Sequence, residues 1–215
     1  QAIELCTAHN ILLSGFHLFN GSYQFTSNAV ETAIAAKSII EAIEERYPHP
    51  LSFVNLGGGF SENWQQSDFD FVAYGDILAS FQKHIILAHE TGRGLMASAG
   101  YFATRVRYLK NIEQQLYAIC DGGINQNFLL AQTENSFRKF KTPMLWSPTP
   151  QTDKQNCIYV GSSCSKDDVI GKQDAHQNSP QVGDICIYDN CGAYNASYTL
   201  SPFLKLPSAK TYIIE

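Results

Sequence analysis

The hydrophobic period of this chain changes once, near Met96, and that change bounds the folds open to it. Before it, short apolar runs alternate with longer segments of helical period. Residues 10–18, 51–56 and 84–89 read as buried strands. Residues 28–46 read as a helix, with Ala29, Ala33, Ala36, Ile40 and Ile43 at helical spacing and Ser27 or Asn28 as N-cap; residues 69–83 read as another. Strands alternating with helices imply parallel pairing and βαβ units. After Met96, residues 101–109 alternate with period two, placing Phe102, Thr104, Val106 and Tyr108 on one side. Residues 115–121, 156–160, 184–189 and 212–214 read as further short strands, 132–154 as loop, and 170–181 as an exposed polar segment. The expectation is an α/β piece, residues 1–95, followed by an all-β domain, residues 96–215. Three strand–helix units fall short of the eight that close a (β/α)8 barrel of about 250 residues, and an open piece leaves a sheet edge and apolar faces bare. The chain also opens at Gln1, without an initiator Met, in what reads as mid-helix. It is therefore expected to be the C-terminal portion of something larger, whether processed, truncated or split.

Composition narrows the function classes. The net charge is -5 with no long basic run, which argues against a nucleic-acid surface. No apolar run approaches the roughly 20 residues that span a bilayer, and the N-terminus has no signal-peptide pattern. Cysteines stand at 6, 120, 157, 164, 186 and 191 without a Cys-x-x-Cys pair, and no His pair has helical ligand spacing, so no zinc site is expected. Scattered cysteines without a secretion signal read as reduced thiols of the cytoplasm.

The chemistry concentrates in a few motifs. A triple glycine, Gly57-Gly58-Gly59, follows the strand ending at Leu56. Without Cβ atoms, such a turn presents backbone N–H groups to a phosphate; it serves equally as a tight loop. Later segments carry Glu90-Thr91-Gly92-Arg93, Gly161-Ser162-Ser163-Cys164 with Asp168, and Gly192-Ala193-Tyr194. An acid, an arginine, a cysteine and a tyrosine could complete a phosphorylated-cofactor site. Glu90 paired with Arg93, and Cys164 as a buried strand-end residue, are the structural alternatives.

Taken in order, with Gly15-Phe16-His17-Leu18-Phe19-Asn20-Gly21-Ser22 before them and Cys120-Asp121-Gly122-Gly123 and Gly183-Asp184 between them, these motifs resemble the fold-type III pyridoxal phosphate decarboxylases, which include ornithine, arginine and diaminopimelate decarboxylases. The resemblance implies an N-terminal (β/α)8 barrel, a C-terminal β domain and a head-to-tail homodimer with sites at the subunit interface. It implies that Gly57, Gly58, Gly59, Ser22, Arg93 and Tyr194 bind the cofactor phosphate of pyridoxal 5'-phosphate, and that Glu90 faces the pyridine nitrogen and keeps it protonated. It implies that Cys164 enters from the partner subunit as proton donor, a role suited to a thiol because the reference cysteine pKa is near 8.5, with Asp168 as the aspartate of the same loop. The remaining five cysteines read as small core residues.

Three departures from that pattern carry expectations of their own. Phe19 stands where members of the family place a histidine on the ring face; it can stack there but not hydrogen-bond. His17, on the same barrel side by alternation, is either a supporting donor or a satisfied core histidine. The Phe-Asn-Gly-Ser form resembles an outlying branch that includes siderophore and other secondary-metabolite decarboxylases. Ser165 and Lys166 stand where amine-recognising members have an acid after the cysteine, which points away from ornithine, lysine or free diaminopimelate and towards a larger conjugated, carboxylate-bearing amino acid. Last, the Schiff-base lysine belongs to a first barrel strand that is absent: Lys37, Lys83, Lys110, Lys139 and Lys172 lie on helix faces, strand ends or loops. An amino-acid decarboxylase completed by an N-terminal barrel portion is the first reading. A catalytically silent homologue that binds and regulates a partner is the second, and a racemase on a related barrel the third.

Overall fold

The computed structural model describes residues 1–131, 140–149, 152–199 and 203–214. The chain divides into two compact units, Gln1–Leu95 and Met96–Glu215.

The first unit is a parallel three-stranded sheet. Helix α1 (Ala2–Ala8) precedes β1 (Gly15–His17); α2 (Phe25–Glu44), β2 (Phe53–Asn55), α3 (Phe71–Ala79) and β3 (Ile86–Ala88) follow. The strand order is β1-β2-β3, and the register aligns Gly15, Phe53 and Ile86 in one row and His17, Asn55 and Ala88 in another. The hydrogen-bonded strands are three residues each, shorter than the apolar runs that announce them. Helix α2 buries Ala29, Ala33, Ala36 and Ile40 at the expected spacing, with Ile43 partly buried against the same core. It begins three residues earlier than expected. Neither Ser27 nor Asn28 caps it; Gln24 precedes the first turn without a side-chain cap bond, and Ser27 Oγ donates to Gln24 O. The cause is tertiary: Phe25 is stacked on Phe60 at 3.7 Å between centroids, and its N–H donates to Gly59 O, so packing draws the first turn inward. Helix α3 starts at Asp70, whose Oδ1 accepts from the Val72 and Ala73 amides.

Among the described residues one face of this sheet is covered and the other is not. Val54 is fully buried among helix residues, whereas Phe53 and Ile86, one row over, are 39% and 65% exposed. A closed barrel would cover that second face with its own interior.

The second unit is a six-stranded sheet of order β6-β9-β4-β5-β7-β8, where β4 is Phe102–Ile112, β5 Gln115–Cys120, β6 Met144–Trp146, β7 Cys157–Val160, β8 Val169–Gln173 and β9 Ile185–Tyr188. Among the described residues of this unit the β5·β7 pair alone is parallel. Short helices α4 (Gly92–Met96) and α5 (Phe128–Ala131) complete the elements used below. Phe102, Thr104 and Val106 are buried as their alternation predicts, but a register shift between Val106 and Tyr108 breaks the period and leaves Tyr108 exposed. Segment 170–181 is not uniformly exposed: Ile170, Gly171 and Gln173 are buried in β8. Gln173 hides that strand in the sequence, because its amide is satisfied internally by the Tyr159 hydroxyl and by the Gln155 and Asn178 carbonyls. Strand β6 lies inside the stretch expected to be loop; of that stretch, residues 132–139, 150 and 151, with Lys139, fall outside the described residues. Residues 212–214 form no strand, and Tyr212, Ile213 and Ile214 are almost fully exposed. Among the described residues no helix is long and apolar enough to cross a membrane.

The α3 cap gives a direct stability test. Replacing Asp70 with Ala should lower the unfolding free energy of the intact protein by about 1 kcal/mol in urea titration, while Asp70→Asn should retain most of it.

Candidate active site

Sequence-predicted residues gather at the C-terminal ends of the three parallel strands, the end where barrel folds place their chemistry. Phe19 and Ser22 follow β1, Gly57 to Gly59 follow β2, and Glu90 and Arg93 follow β3. The triplet knits these ends together. A Cβ on Gly57 would lie 2.1 Å from Leu18 O, one on Gly58 2.5 Å from Glu90 O, and one on Gly59 2.7 Å from Gly21 O. Gly57 and Gly59 also have φ of +78° and +91°. Backbone meets backbone on all three sides, so side chains are excluded by contact as well as by conformation.

The turn has fewer uncommitted donors than the sequence suggests. The Gly57 N–H donates to Asn55 Oδ1 at 2.8 Å, an Asx-type turn, and is engaged within the chain. Among the described residues the Gly58 and Gly59 N–H groups donate to no protein acceptor. Ser22 is exposed in the loop after β1, next to Gly21, whose carbonyl abuts Gly59, and the Arg93 guanidinium lies over the Tyr23 ring, 4.8 Å from its centroid.

Glu90 is held on the uncovered face of the sheet. Its Oε1 accepts from Asn55 Nδ2 at 2.7 Å and lies 3.9 Å from His17 Nε2. His17 is exposed, not a satisfied core histidine. Asn55 was missed by sequence reasoning, though its place two residues before a glycine turn and on the His17 row is a readable sign. Phe19 is 58% exposed.

Behind the turn lies a second group absent from the sequence reading. His89 Nδ1 is 3.1 Å from Gly57 O, and Nε2 is 2.9 Å from Tyr74 Oη. A carbonyl only accepts, so the proton sits on Nδ1 and Tyr74 donates to Nε2. Phe25 and Phe60 meet the imidazole edge-on at 5.6 Å. Burial pushes the His89 pKa down, against a smaller upward pull from the Gly57 carbonyl, and burial pushes the Tyr74 phenol up to about 12.

In the second unit, Asp168 organises the cysteine loop. It is 3% exposed. Its Oδ1 accepts from the Ile124 amide at 2.7 Å, and its Oδ2 from the Ser163 amide and hydroxyl at 3.0 and 2.6 Å. A Cβ on Gly123 or on Gly161 would come within 2.3 Å of this carboxylate. Cys120-Asp121-Gly122-Gly123 and Gly161-Ser162-Ser163-Cys164 are thus two sides of one carboxylate socket. Both oxygens of Asp168, expected to act with Cys164, accept from loop donors in this structure. Cys164 is exposed, on an open groove of about 690 Å³ that Ser165, Lys166, Tyr117, Phe140 and Lys172 also line. Lys166 Nζ is 3.9 Å from Asp167, and Lys172 Nζ lies 4.3 Å from the Phe140 centroid. Tyr194, at φ +64°, is 49% exposed beside a turn fixed by Cys191 N–H to Gly100 O and Gly192 N–H to Ala97 O. Cys120, Cys157 and Cys186 are buried in the sheet core, as expected for small apolar residues, whereas Cys6 and Cys191 are only partly covered. Among the described residues no cluster of His, Cys, Asp or Glu could hold a metal ion.

With this geometry in view, the family is defined. Residues 16–192 match the family described as pyridoxal-dependent decarboxylase, C-terminal sheet domain, and the chain belongs to that family. It is 26% identical over 210 residues to a 2-[(L-alanin-3-ylcarbamoyl)methyl]-2-hydroxybutanedioate decarboxylase of Staphylococcus aureus, covering 92% of this chain and 52% of the relative. It is 26% identical over 210 residues to an L-glutamyl-[BtrI acyl-carrier protein] decarboxylase of Niallia circulans, covering 90% and 48%. Among solved structures it resembles a lysine/ornithine decarboxylase of Vibrio vulnificus complexed with cadaverine, with a TM-score of 0.79 at 22% identity over 98% of this chain and 57% of that one. The fold is accordingly the C-terminal part of a (β/α)8 barrel followed by a β domain. The chain spans about half the length of the curated relatives it matches.

Pyridoxal phosphate is the cofactor of this family, and the first unit fits it: two uncommitted amides in a turn that a Cβ would block, with an oriented carboxylate on the adjoining strand end.

Two measurements follow. Thiol labelling of the native protein should modify Cys164 first and leave Cys120, Cys157 and Cys186 protected; burial pushes the Cys157 thiol up to about 12, and a hydrogen bond with the Cys120 thiol, together with burial, pushes Cys186 up as well. Peptide mapping after a short pulse, and loss of the fast phase in Cys164→Ser, check this. Because His89 titrates lower when folded, the unfolded chain takes up the proton first, and stability should fall as pH drops below the ordinary histidine value of about 6.5. In His89→Asn that decline should be shallower, as read from urea midpoints between pH 8 and pH 5.

Proposed function

We propose that this chain is the C-terminal portion of a pyridoxal-phosphate-dependent decarboxylase that acts on a conjugated amino acid bearing carboxylates. The observation that carries the reading is the pairing, at one set of strand ends, of a Glu90 carboxylate fixed by Asn55 with the uncommitted Gly58 and Gly59 amides. When bound, pyridoxal phosphate supplies an electron sink for the pair left behind as carbon dioxide departs.

The residues of this chain do the rest. Gly58 and Gly59 hold the phosphate by N–H donors, assisted by the Ser22 hydroxyl, the Arg93 charge and the Tyr194 phenol. Glu90 keeps a proton at the pyridine nitrogen, and Asn55 keeps Glu90 aimed. Phe19 offers an apolar face in place of a ring-stacked histidine, which leaves His17 as the imidazole on that side. Cys164, supplied across the interface of a head-to-tail homodimer, holds the proton that is returned to Cα. The loops directly after β1, β2 and β3 (residues 18–24, 56–63 and 89–91) contain no lysine. The Schiff-base lysine is assigned to barrel strands outside these 215 residues, which would also cover Phe53 and Ile86. Lys166 and Lys172 bring positive charge to the Cys164 groove beside the neutral Ser165, and the acid that lines it, Asp168, has both carboxylate oxygens engaged by loop donors rather than free to receive a distal ammonium. The S. aureus relative's name describes a substrate rich in carboxylates, in keeping with that lining. A cytoplasmic site of action suits free thiols and a phosphorylated cofactor. The silent-homologue reading draws on Phe19 and the lysine, and the same experiment separates it.

The intact protein, supplied with pyridoxal phosphate, should release carbon dioxide from carboxylate-bearing conjugated amino acids and poorly from ornithine or lysine. Lys166→Ala with Lys172→Ala should raise KM about tenfold with a smaller change in kcat. Fast decarboxylation of ornithine or lysine would overturn the substrate class. Absence of both cofactor absorbance and carbon dioxide release would favour the silent homologue.

A further inference from the structure

We infer that His89 is a positioning residue for the anion-binding turn: it fixes the plane of the Gly57–Gly58 peptide and so aims the Gly58 N–H. The peptide group is planar and trans, so the Gly57 carbonyl and the Gly58 N–H point in opposite directions from one rigid unit. Two donors converge on that carbonyl, the Glu90 N–H at 3.0 Å and His89 Nδ1 at 3.1 Å. Glycines on either side of a peptide offer little resistance to its rotation, so a double clamp sets what the backbone alone does not. Glu90 contributes its amide to the clamp while its carboxylate faces Asn55, which ties the phosphate turn and the acid at β3 to one anchor.

His89 is itself fixed. Tyr74 donates to Nε2, which leaves the proton on Nδ1, where the clamp needs it. The Phe25 and Phe60 rings confine the imidazole edge-on. The polar side chains of Asn20, Gln24, Asn28 and Thr32 line the small cavity next to it, and Asn20 and Thr32 bond to each other. A histidine that only filled space among phenylalanines would gain nothing from a donor directed at a turn carbonyl.

The inference rests on the pyridoxal phosphate reading, and the test separates the two. Affinity for pyridoxal phosphate and for inorganic phosphate is measured by calorimetry on the intact protein and on two variants. His89→Asn places an amide N–H near the Nδ1 position; His89→Leu keeps apolar bulk and removes the donor. Asn should hold affinity within about threefold, while Leu should lose about tenfold, the effect of one neutral hydrogen bond. Tyr74→Phe, which keeps the ring and frees the tautomer, should weaken binding in the same direction. If Leu binds as well as Asn or better, His89 is packing and the inference fails alone. If the unaltered protein binds neither probe, the inference falls together with the cofactor reading.

Discussion

Contact between backbones at the strand ends is the constraint on which the first unit depends. Gly57, Gly58 and Gly59 lie against Leu18, Glu90 and Gly21 with no room for a Cβ. That closeness lets Phe25 N–H reach Gly59 O and Glu90 N–H reach Gly57 O, so the start of α2 and the end of β3 are set by the same turn. The core packs around it: Phe25 and Phe60 stack beside the triplet, and His89 and Tyr74 lie behind it. What the turn leaves uncommitted is two half-buried amides, with the exposed Glu90 carboxylate at the adjoining strand end. A glycine motif of this kind works less by yielding flexibility than by removing side chains from a junction of three loops.

The second unit solves a comparable problem with a charge. Asp168 is buried, and a buried carboxylate is costly unless donors surround it. The Ile124 and Ser163 amides and the Ser163 hydroxyl provide them, while Gly123 and Gly161 leave space for the carboxylate itself. Four residues before it, Cys164 is consequently presented on an exposed loop whose base is rigid. The arrangement separates two duties that a sequence motif runs together: Asp168 shapes the loop, and Cys164 meets solvent.

Much of this was legible in the sequence because local rules and tertiary packing agree there. The 3.6-residue period of α2 and the period-two alternation of Phe102, Thr104 and Val106 both follow the side of the element that faces a core. Reading failed where a partner distant in sequence decided the outcome. Phe25 enters α2 because Phe60 and Gly59 hold it, not because of a capping residue. Strand β8 ends in polar residues, and Gln173 is nevertheless buried because it finds its partners in Tyr159, Gln155 and Asn178. Tyr108 leaves its expected face because a bulge intervenes. At the site, the motifs located Gly57 to Gly59, Glu90, Arg93 and Cys164, but composition could not tell that Asn55 uses one amide of the triplet, that Asp168 faces inward, or that His89 reaches a glycine carbonyl.

The central claim is that the Gly58–Gly59 turn and Glu90 grip the two ends of one pyridoxal phosphate molecule. An experimental structure of the intact protein soaked with pyridoxal phosphate tests it most directly. The account predicts phosphate oxygens within hydrogen-bond distance of the Gly58 and Gly59 nitrogens, and the ring nitrogen against the Glu90 carboxylate with the Asn55 bond retained. Cofactor density elsewhere, or a Glu90 carboxylate turned away from the ring, would contradict it.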